Sequence, residues 1–258
     1  MFHHSIRSIP PVNPNYWSFA ITGRVRHPLI LSYADLQSLP TQTMRCAVAC
    51  AATSADRPLI GEALWRGVPL SHLLDNVTID PSAQFARIHA ADGYTTVLPL
   101  DRLAQTLLVY EMDGQPLAPE YGFPARLIAP GLFGYKMPKW IDRIELTDTS
   151  DGGFWESRGW SIDGTMTVKA ALTGRSISPS GAPILSGVAY AGEHPITSVQ
   201  ISIDGGGWMP VPLTPAEPFA LTHWQIDWTP PGAGEYHVRV QASDGVLFVE
   251  HSLVIGSP

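Results

Sequence analysis

Two thiols and a pair of lysines are the groups in this 258-residue chain whose type and spacing invite chemistry. Cys46 and Cys50 are its only cysteines, which excludes the disulfide framework of a small secreted domain. Residues 41–50 alternate as a strand does, with mostly apolar or sulfur side chains at the even positions. On a strand, positions four apart lie about 13 Å from each other, beyond the roughly 7 Å that a disulfide spans between Cα atoms, so both are expected as free thiols. Cys46 reads as a small buried hydrophobe. Cys50 closes the strand and opens the polar loop Ala51-Ala52-Thr53-Ser54-Ala55-Asp56-Arg57, where a thiolate held by a rigid scaffold suits a soft or high-valent transition metal. The Cys-x-x-x-Cys spacing fits neither haem attachment nor a zinc site.

Lysine occurs at three positions, Lys136, Lys139 and Lys169. Two of them fall in Pro130-Gly131-Leu132-Phe133-Gly134-Tyr135-Lys136-Met137-Pro138-Lys139-Trp140, where glycines let backbone N–H groups approach an anion and the ammonium groups add point charges suited to phosphate. The plainer alternative is a turn with two solvated lysines. A thiolate and an anion loop together suggest a phosphorylated cofactor that carries a metal.

The elements that position these groups are short. Glycine (23) and proline (24) are abundant and follow no Gly-x-y period, so turns are many and long helices are not expected. Extended runs are expected at 17–23, 29–31, 43–50, 85–89, 95–98 and 126–128, and helical ones at 33–38, 70–74 and 101–107. After a polar, glycine-containing stretch, helical periodicity disappears and period-two runs such as 198–203 and 236–242 take over, with Gly205-Gly206-Gly207 as a hairpin turn. The fold class expected is therefore α+β: a mixed α/β domain over residues 1–150, a connector at 151–164, and an all-β sandwich of immunoglobulin type over 165–258.

Hydrophobic residues are 45%, charged residues 15% and the net charge is −7, which describes a globular chain and excludes a disordered one. Residues 1–148 hold 12 Lys and Arg against 13 Asp and Glu, and 149–258 hold 4 against 10. Neither part has the basic stripe that nucleic acid requires, so no nucleic-acid partner is expected. No apolar run is long enough for a membrane helix, and the N-terminus MFHHSIRSIPP lacks the layout of a signal peptide. As written the chain reads as cytoplasmic, or periplasmic if a leader precedes it.

Four blocks carry a family likeness: Trp65-Arg66-Gly67-Val68-Pro69-Leu70; Tyr110-Glu111-Met112-Asp113-Gly114-Gln115-Pro116-Leu117; Gly122-Phe123-Pro124-Ala125-Arg126-Leu127-Ile128-Ala129-Pro130-Gly131; and Gly134-Tyr135-Lys136-Met137-Pro138-Lys139-Trp140-Ile141. Together they resemble the molybdopterin domain of the sulfite oxidase family. Residues 187–192 and 201–206 are similar to that family's immunoglobulin-like dimerisation domain. The family's molybdenum-ligating cysteine ends a strand, ten residues after a Leu-Pro pair and fifteen before the Trp of the first block. Leu39-Pro40 and Trp65 both point to Cys50.

The resemblance implies catalytic roles for Cys50 and Tyr94, with the Tyr94 phenol donating to a metal-bound oxo group or an oxyanion. It implies cofactor contacts at Cys50, Thr53, Tyr121, Arg126, Gly134, Tyr135, Lys136 and Lys139. Thr53 stands where the family has Asn, Tyr121 where it has His, and Arg7 is displaced from the family's substrate-meeting arginine, which bears on the substrate more than on the cofactor. The activity implied is oxygen-atom transfer at an oxo-molybdenum centre, with sulfite oxidation first and reduction of a sulfoxide or another oxyanion second. A molybdopterin-binding protein without turnover and a plain interaction protein are the readings from other classes. Two cysteines are too few for a cluster and no Cys-x-x-Cys-His is present, so electrons are expected to pass to an external carrier such as a cytochrome. A homodimer through the sandwich is expected from the resemblance.

Overall fold

Alternating burial writes most of this molecule as strands. The computed structural model describes residues 3–54, 57–177, 183–214 and 216–257, so Ala55 and Asp56 of the loop after Cys50 lie outside the described residues, as do 178–182 in the second half. The chain forms two compact units, one of Met1–Cys46 with Ala63–Thr165 and one of Ala47–Glu62 with Met166–Pro258.

In the first unit, β1 (Ser18–Gly23) buries Phe19 and Ile21 on one face and pairs antiparallel with β2 (Leu29–Ser32). The helix α1 (Tyr33–Ser38) follows at once because Ser32 and Asp35 close a capping box. Next come β3 (Gln42–Ala49) and β4 (Ile60–Pro69), whose residues 47–49 and 60–62 belong to the second unit, and the short helix α2 (Leu70–Leu74). After them run β5 (Phe85–Ala90), β6 (Thr95–Pro99), α3 (Leu100–Leu103), β7 (Leu107–Met112), β8 (Gln115–Pro116), β9 (Arg126–Ile128) and β10 (Ile141–Thr147). One sheet has the order β2-β1-β10-β5-β6, with β1 and β10 parallel, and the other the order β3-β4-β7-β8, with β9 also on β7.

The expected helix at 101–107 is a correction. It stops at Leu103, where Thr106 turns its hydroxyl onto the Leu103 carbonyl, and Leu107 opens a strand whose first four residues are buried. A continuous apolar run such as Leu107-Leu108-Val109-Tyr110 belongs to a strand covered on both faces, which periodicity does not separate from a buried helix. Residues 151–164 run beside β6, the outer strand of the first sheet. Phe154 donates its N–H to the Thr95 carbonyl at 2.9 Å, and the Thr95 hydroxyl donates to the Gly152 carbonyl at 2.7 Å. An otherwise open sheet edge is thereby closed.

The second unit holds two four-stranded antiparallel sheets. One orders β11 (Lys169–Ile177), β12 (Pro183–Tyr190), β16 (Thr222–Asp227) and β15 (Leu213–Thr214). The other orders β14 (Met209–Pro210), β13 (Ser198–Ile203), β17 (Gly234–Ser243) and β18 (Phe248–Ser257). Leu185 and Trp224 of the first sheet share one buried cluster with Ile201, Val238, Val240 and Ile255 of the second. The hairpin expected at the glycine run is present, with Asp204 and Gly205 both at positive φ. Described helices amount to three of six, five and four residues, so the chain is mostly β and the helical share of the α+β expectation is smaller than the sequence suggested.

Candidate functional site

Arg126 opens β9, all three residues of which are buried, and the pairing of β9 with β7 carries the guanidinium inside. The group lies over the Trp65 ring, 5.0 Å from its centroid, and donates through Nη1 to the Tyr121 carbonyl at 3.2 Å and through Nη2 to the Met137 carbonyl at 3.4 Å. Its Nε is buried with no hydrogen-bond partner. Burial pushes Arg126 down to about 10. Lys139 donates to the Glu120 carbonyl at 3.0 Å and stands over Trp140, and burial followed by the charge of Arg126 pushes it down to about 7. Among the described residues neither cation forms an ion pair. Gly122, at φ +110 after the 3-10 turn Pro119–Tyr121, lets them meet, since a Cβ there would stand 3.0 Å from the Cβ of both. His3 is lowered by burial first and by Lys139 second, so the N-terminal segment joins the same positive region.

Lys136 departs from the reading of a solvated or phosphate-facing lysine. It sits in the 3-10 turn Gly134–Lys136, is fully buried, and donates to the Val97 carbonyl at 2.7 Å and to Glu156 Oε1 at 2.5 Å. Gly164, at φ +64, leaves space for its stem, into which a Cβ would run. An ammonium this deep needs a carboxylate partner, and no local pattern marks residue 156 as its source. Tyr94, just ahead of β6, donates its hydroxyl to the Tyr135 carbonyl at 2.6 Å, and burial, then the charge of Glu156, raises it far above the usual phenol range. Tyr135 donates to the Ser161 carbonyl at 2.8 Å, meets Trp160 edge-on, and is pushed up to about 12 chiefly by burial. Tyr94 and Tyr135 thus remain protonated donors throughout ordinary pH.

Cys50 and Thr53 belong to the second unit. Cys46 and Cys50 are both free thiols, the first buried and the second half-buried. The Cys50 carbonyl accepts the Thr53 N–H at 3.0 Å, the Cys50 N–H donates to the Leu59 carbonyl at 2.9 Å, and the Thr53 hydroxyl donates to the same carbonyl at 2.7 Å. The turn that presents Cys50 is therefore closed by Thr53. Lys169, at the start of β11, is lowered by burial, with the charge of Cys50 as the opposing influence, which places a cation in the field of the thiol. Sequence reasoning missed Lys169, because 119 positions separate it from Cys50 and only the tertiary fold brings them near. Arg7, which the sequence reading set aside as displaced, has its guanidinium against Gly93 beside Tyr94.

The first unit thus holds a buried guanidinium and a half-buried ammonium that form no ion pair among the described residues, and the second unit holds a half-buried thiol on a closed turn. Residues 6–155 match the family model "Oxidoreductase molybdopterin binding domain", and the chain belongs to that family. It is 35% identical over 150 residues to "Uncharacterized oxidoreductase YuiH" of Bacillus subtilis (strain 168), covering 57% of this chain and 74% of that one. It is 37% identical over 99 residues to "Putative protein-methionine-sulfoxide reductase subunit YedZ1" of Azospira oryzae, covering 38% of each. It is 24% identical over 292 residues to the mitochondrial sulfite oxidase of Homo sapiens, covering 92% of this chain and 53% of that one. Among solved structures it is similar to the sulfane dehydrogenase SoxCD of Paracoccus pantotrophus, with a TM-score of 0.79 and 26% identity over 92% of this chain and 69% of that one. The protein is an oxidoreductase of the sulfite oxidase type whose cofactor is molybdopterin with molybdenum. The residues present fit the chemistry of that group: the orphaned Arg126 Nε calls for an acceptor, Lys139 adds a cation beside it, and Cys50 is a free thiol of the soft kind.

Proposed function

We propose that the protein transfers an oxygen atom to or from a small substrate, with sulfite oxidized to sulfate and two electrons passed to an external carrier such as a cytochrome. The observation that carries the reading is the buried Arg126 guanidinium, whose Nε has no hydrogen-bond partner, with the half-buried Lys139 ammonium beside it. In this reading Cys50 ligates molybdenum, Arg126 and Lys139 hold the pterin phosphate, and Tyr121, Gly134 and Tyr135 line the cofactor with backbone groups. Thr53 acts through the turn it closes, and Lys136 acts inside the fold. Bound there, the cofactor supplies a metal that changes by two electrons, as moving one oxygen atom requires. Tyr94 holds its proton at Oη and offers it as a hydrogen bond to the substrate's oxygen, in exchange for the Tyr135 carbonyl. The sulfite oxidase names among the relatives support sulfite, and the YedZ1 relative supports sulfoxide reduction as the second reading. Residues 165–258 are read as an immunoglobulin-like dimerisation domain, because the two antiparallel sheets there share one core.

The deciding experiment expresses the chain where molybdopterin is made and compares wild type, Cys50→Ser and Cys46→Ser. Wild type and Cys46→Ser are expected to hold close to one molybdenum per chain and to turn over sulfite with an artificial electron dye, while Cys50→Ser loses metal or activity. Equal metal and equal turnover in wild type and Cys50→Ser would sink the assignment. The same assay run with sulfoxides and nitrate separates the two substrate readings.

A further inference from the structure

Glu156 stands one residue past the end of the family match, in the 3-10 turn Glu156–Arg158. Its side chain is 5% exposed, and one oxygen, Oε1, accepts from three donors: Lys136 Nζ at 2.5 Å, Thr96 Oγ1 at 2.5 Å and the Val97 N–H at 3.2 Å. The other oxygen, Oε2, is buried without a partner. Thr96 and Val97 belong to β6, which Tyr94 precedes by one residue. Lys136 follows Tyr135, whose carbonyl receives the Tyr94 hydroxyl. The ring of Tyr94 also meets Phe154, two residues before Glu156, at 5.9 Å. One carboxylate therefore joins the strand that begins beside Tyr94 to the turn that holds the Tyr94 hydroxyl.

Stability alone accounts poorly for this arrangement, because an apolar pair of similar volume often serves a fold as well as a buried ion pair does. We propose that Glu156 is a positioning residue for Tyr94, clamping β6 to the Gly134–Lys136 turn so that the phenol is held at a fixed place toward the substrate. The proposal rests on the catalytic reading of Tyr94 given above. It assigns to Lys136 the role of the clamp's counter-charge, which leaves the cofactor's anion to Arg126 and Lys139.

The test compares wild type, Lys136→Met, Glu156→Leu and the double variant, each as the full chain loaded with cofactor. Four quantities are measured: thermal midpoint, molybdenum per chain, kcat and KM with sulfite and an electron dye, and hydrogen exchange at the Val97 amide. Each single variant strands a buried charge or its partner and lowers the midpoint, whereas the double variant removes both charges and regains it. In the double variant kcat is expected to stay roughly ten- to a hundredfold down at unchanged KM, the usual range for losing a group that orients a site residue, and the Val97 amide is expected to exchange faster. Recovery of kcat together with the midpoint would reduce Glu156 to a structural partner and overturn the proposal, as would unchanged Val97 exchange. A wild-type chain with neither molybdenum nor turnover counts against the oxidoreductase reading instead, and the Val97 comparison still decides the clamp.

Discussion

Lys139 and Lys136 lie three positions apart and have opposite fates, which shows how little residue type says about a lysine until its neighbours are known. Lys136 meets a carboxylate, and Lys139 meets a second cation. For Lys139 this makes a pH dependence. In the cofactor-free fold its ammonium sheds a proton near pH 7, while in the unfolded chain it keeps that proton to about 10.5. Between those values the unfolded chain binds more protons, so the group's contribution to stability rises with pH across the window and is lowest below it. Urea midpoints of the apoprotein measured from pH 7 to 10 should therefore climb more steeply in wild type than in Lys139→Met. Loading with molybdopterin should remove the difference, because a bound phosphate keeps the lysine charged. Identical slopes in the two apoproteins would show that Lys139 has another anion. Lys139→Ala should also weaken cofactor retention through dialysis, by about 1.5 to 3 kcal/mol for one charge-assisted bond.

Short turns, more than sheets, bring these side chains to their places. The turn Pro119–Tyr121 ends at Gly122, whose φ of +110 and lack of a side chain let Arg126 and Lys139 approach. Gly122→Ala is expected to cost about 1 to 3 kcal/mol, the usual cost of holding a residue other than glycine at positive φ, and to reduce molybdenum per chain. A thermal melt and a metal analysis on the same sample check both. A variant with wild-type stability and full metal would mean that the turn adapts without disturbing the two cations. The segment at 151–164 combines a polar, glycine-containing composition with aromatics that must pack somewhere. Its aromatics pack within the first unit, Trp155 on Trp160 at 4.6 Å and Trp160 on Tyr135 at 4.9 Å. Trp160→Ala removes both contacts and should lower stability by about 1 to 3 kcal/mol, as double the worth of a single aromatic pair.

For the whole molecule, charge is unequal between the two parts of the chain, with 10 Asp and Glu against 4 Lys and Arg after residue 148. Among the described residues no helix is long and apolar enough to cross a membrane. In the second unit β18 is an outer strand, and Val246, Leu247 and Phe248 at its start are exposed. An open edge with apolar neighbours favours pairing with another chain, and the homodimer proposed through residues 165–258 would cover it. Sedimentation at micromolar concentration should give twice the chain mass, and Phe248→Glu should shift it to the monomer. A monomeric wild type would remove the dimer from the proposal.

From residues alone the two spacings to Cys50, the free state of both thiols, the strand over 42–49 and the helices at 33–38 and 70–74 were legible, because alternation, capping and local distance are properties of neighbours in the chain. The blocks from Trp65 to Ile141 were legible as a family for the same reason, since each is a run of adjacent residues. Local pattern did not contain the pairing of Lys136 with Glu156, the partnerless Nε of Arg126 or the approach of Lys169 to Cys50. Burial and charge depend on which distant strands and turns pack together, and a lysine's surroundings are set by the chain 20 or 119 residues away. Tertiary structure alone decided that Lys136 meets a carboxylate inside the fold while Lys139 comes to lie beside Arg126.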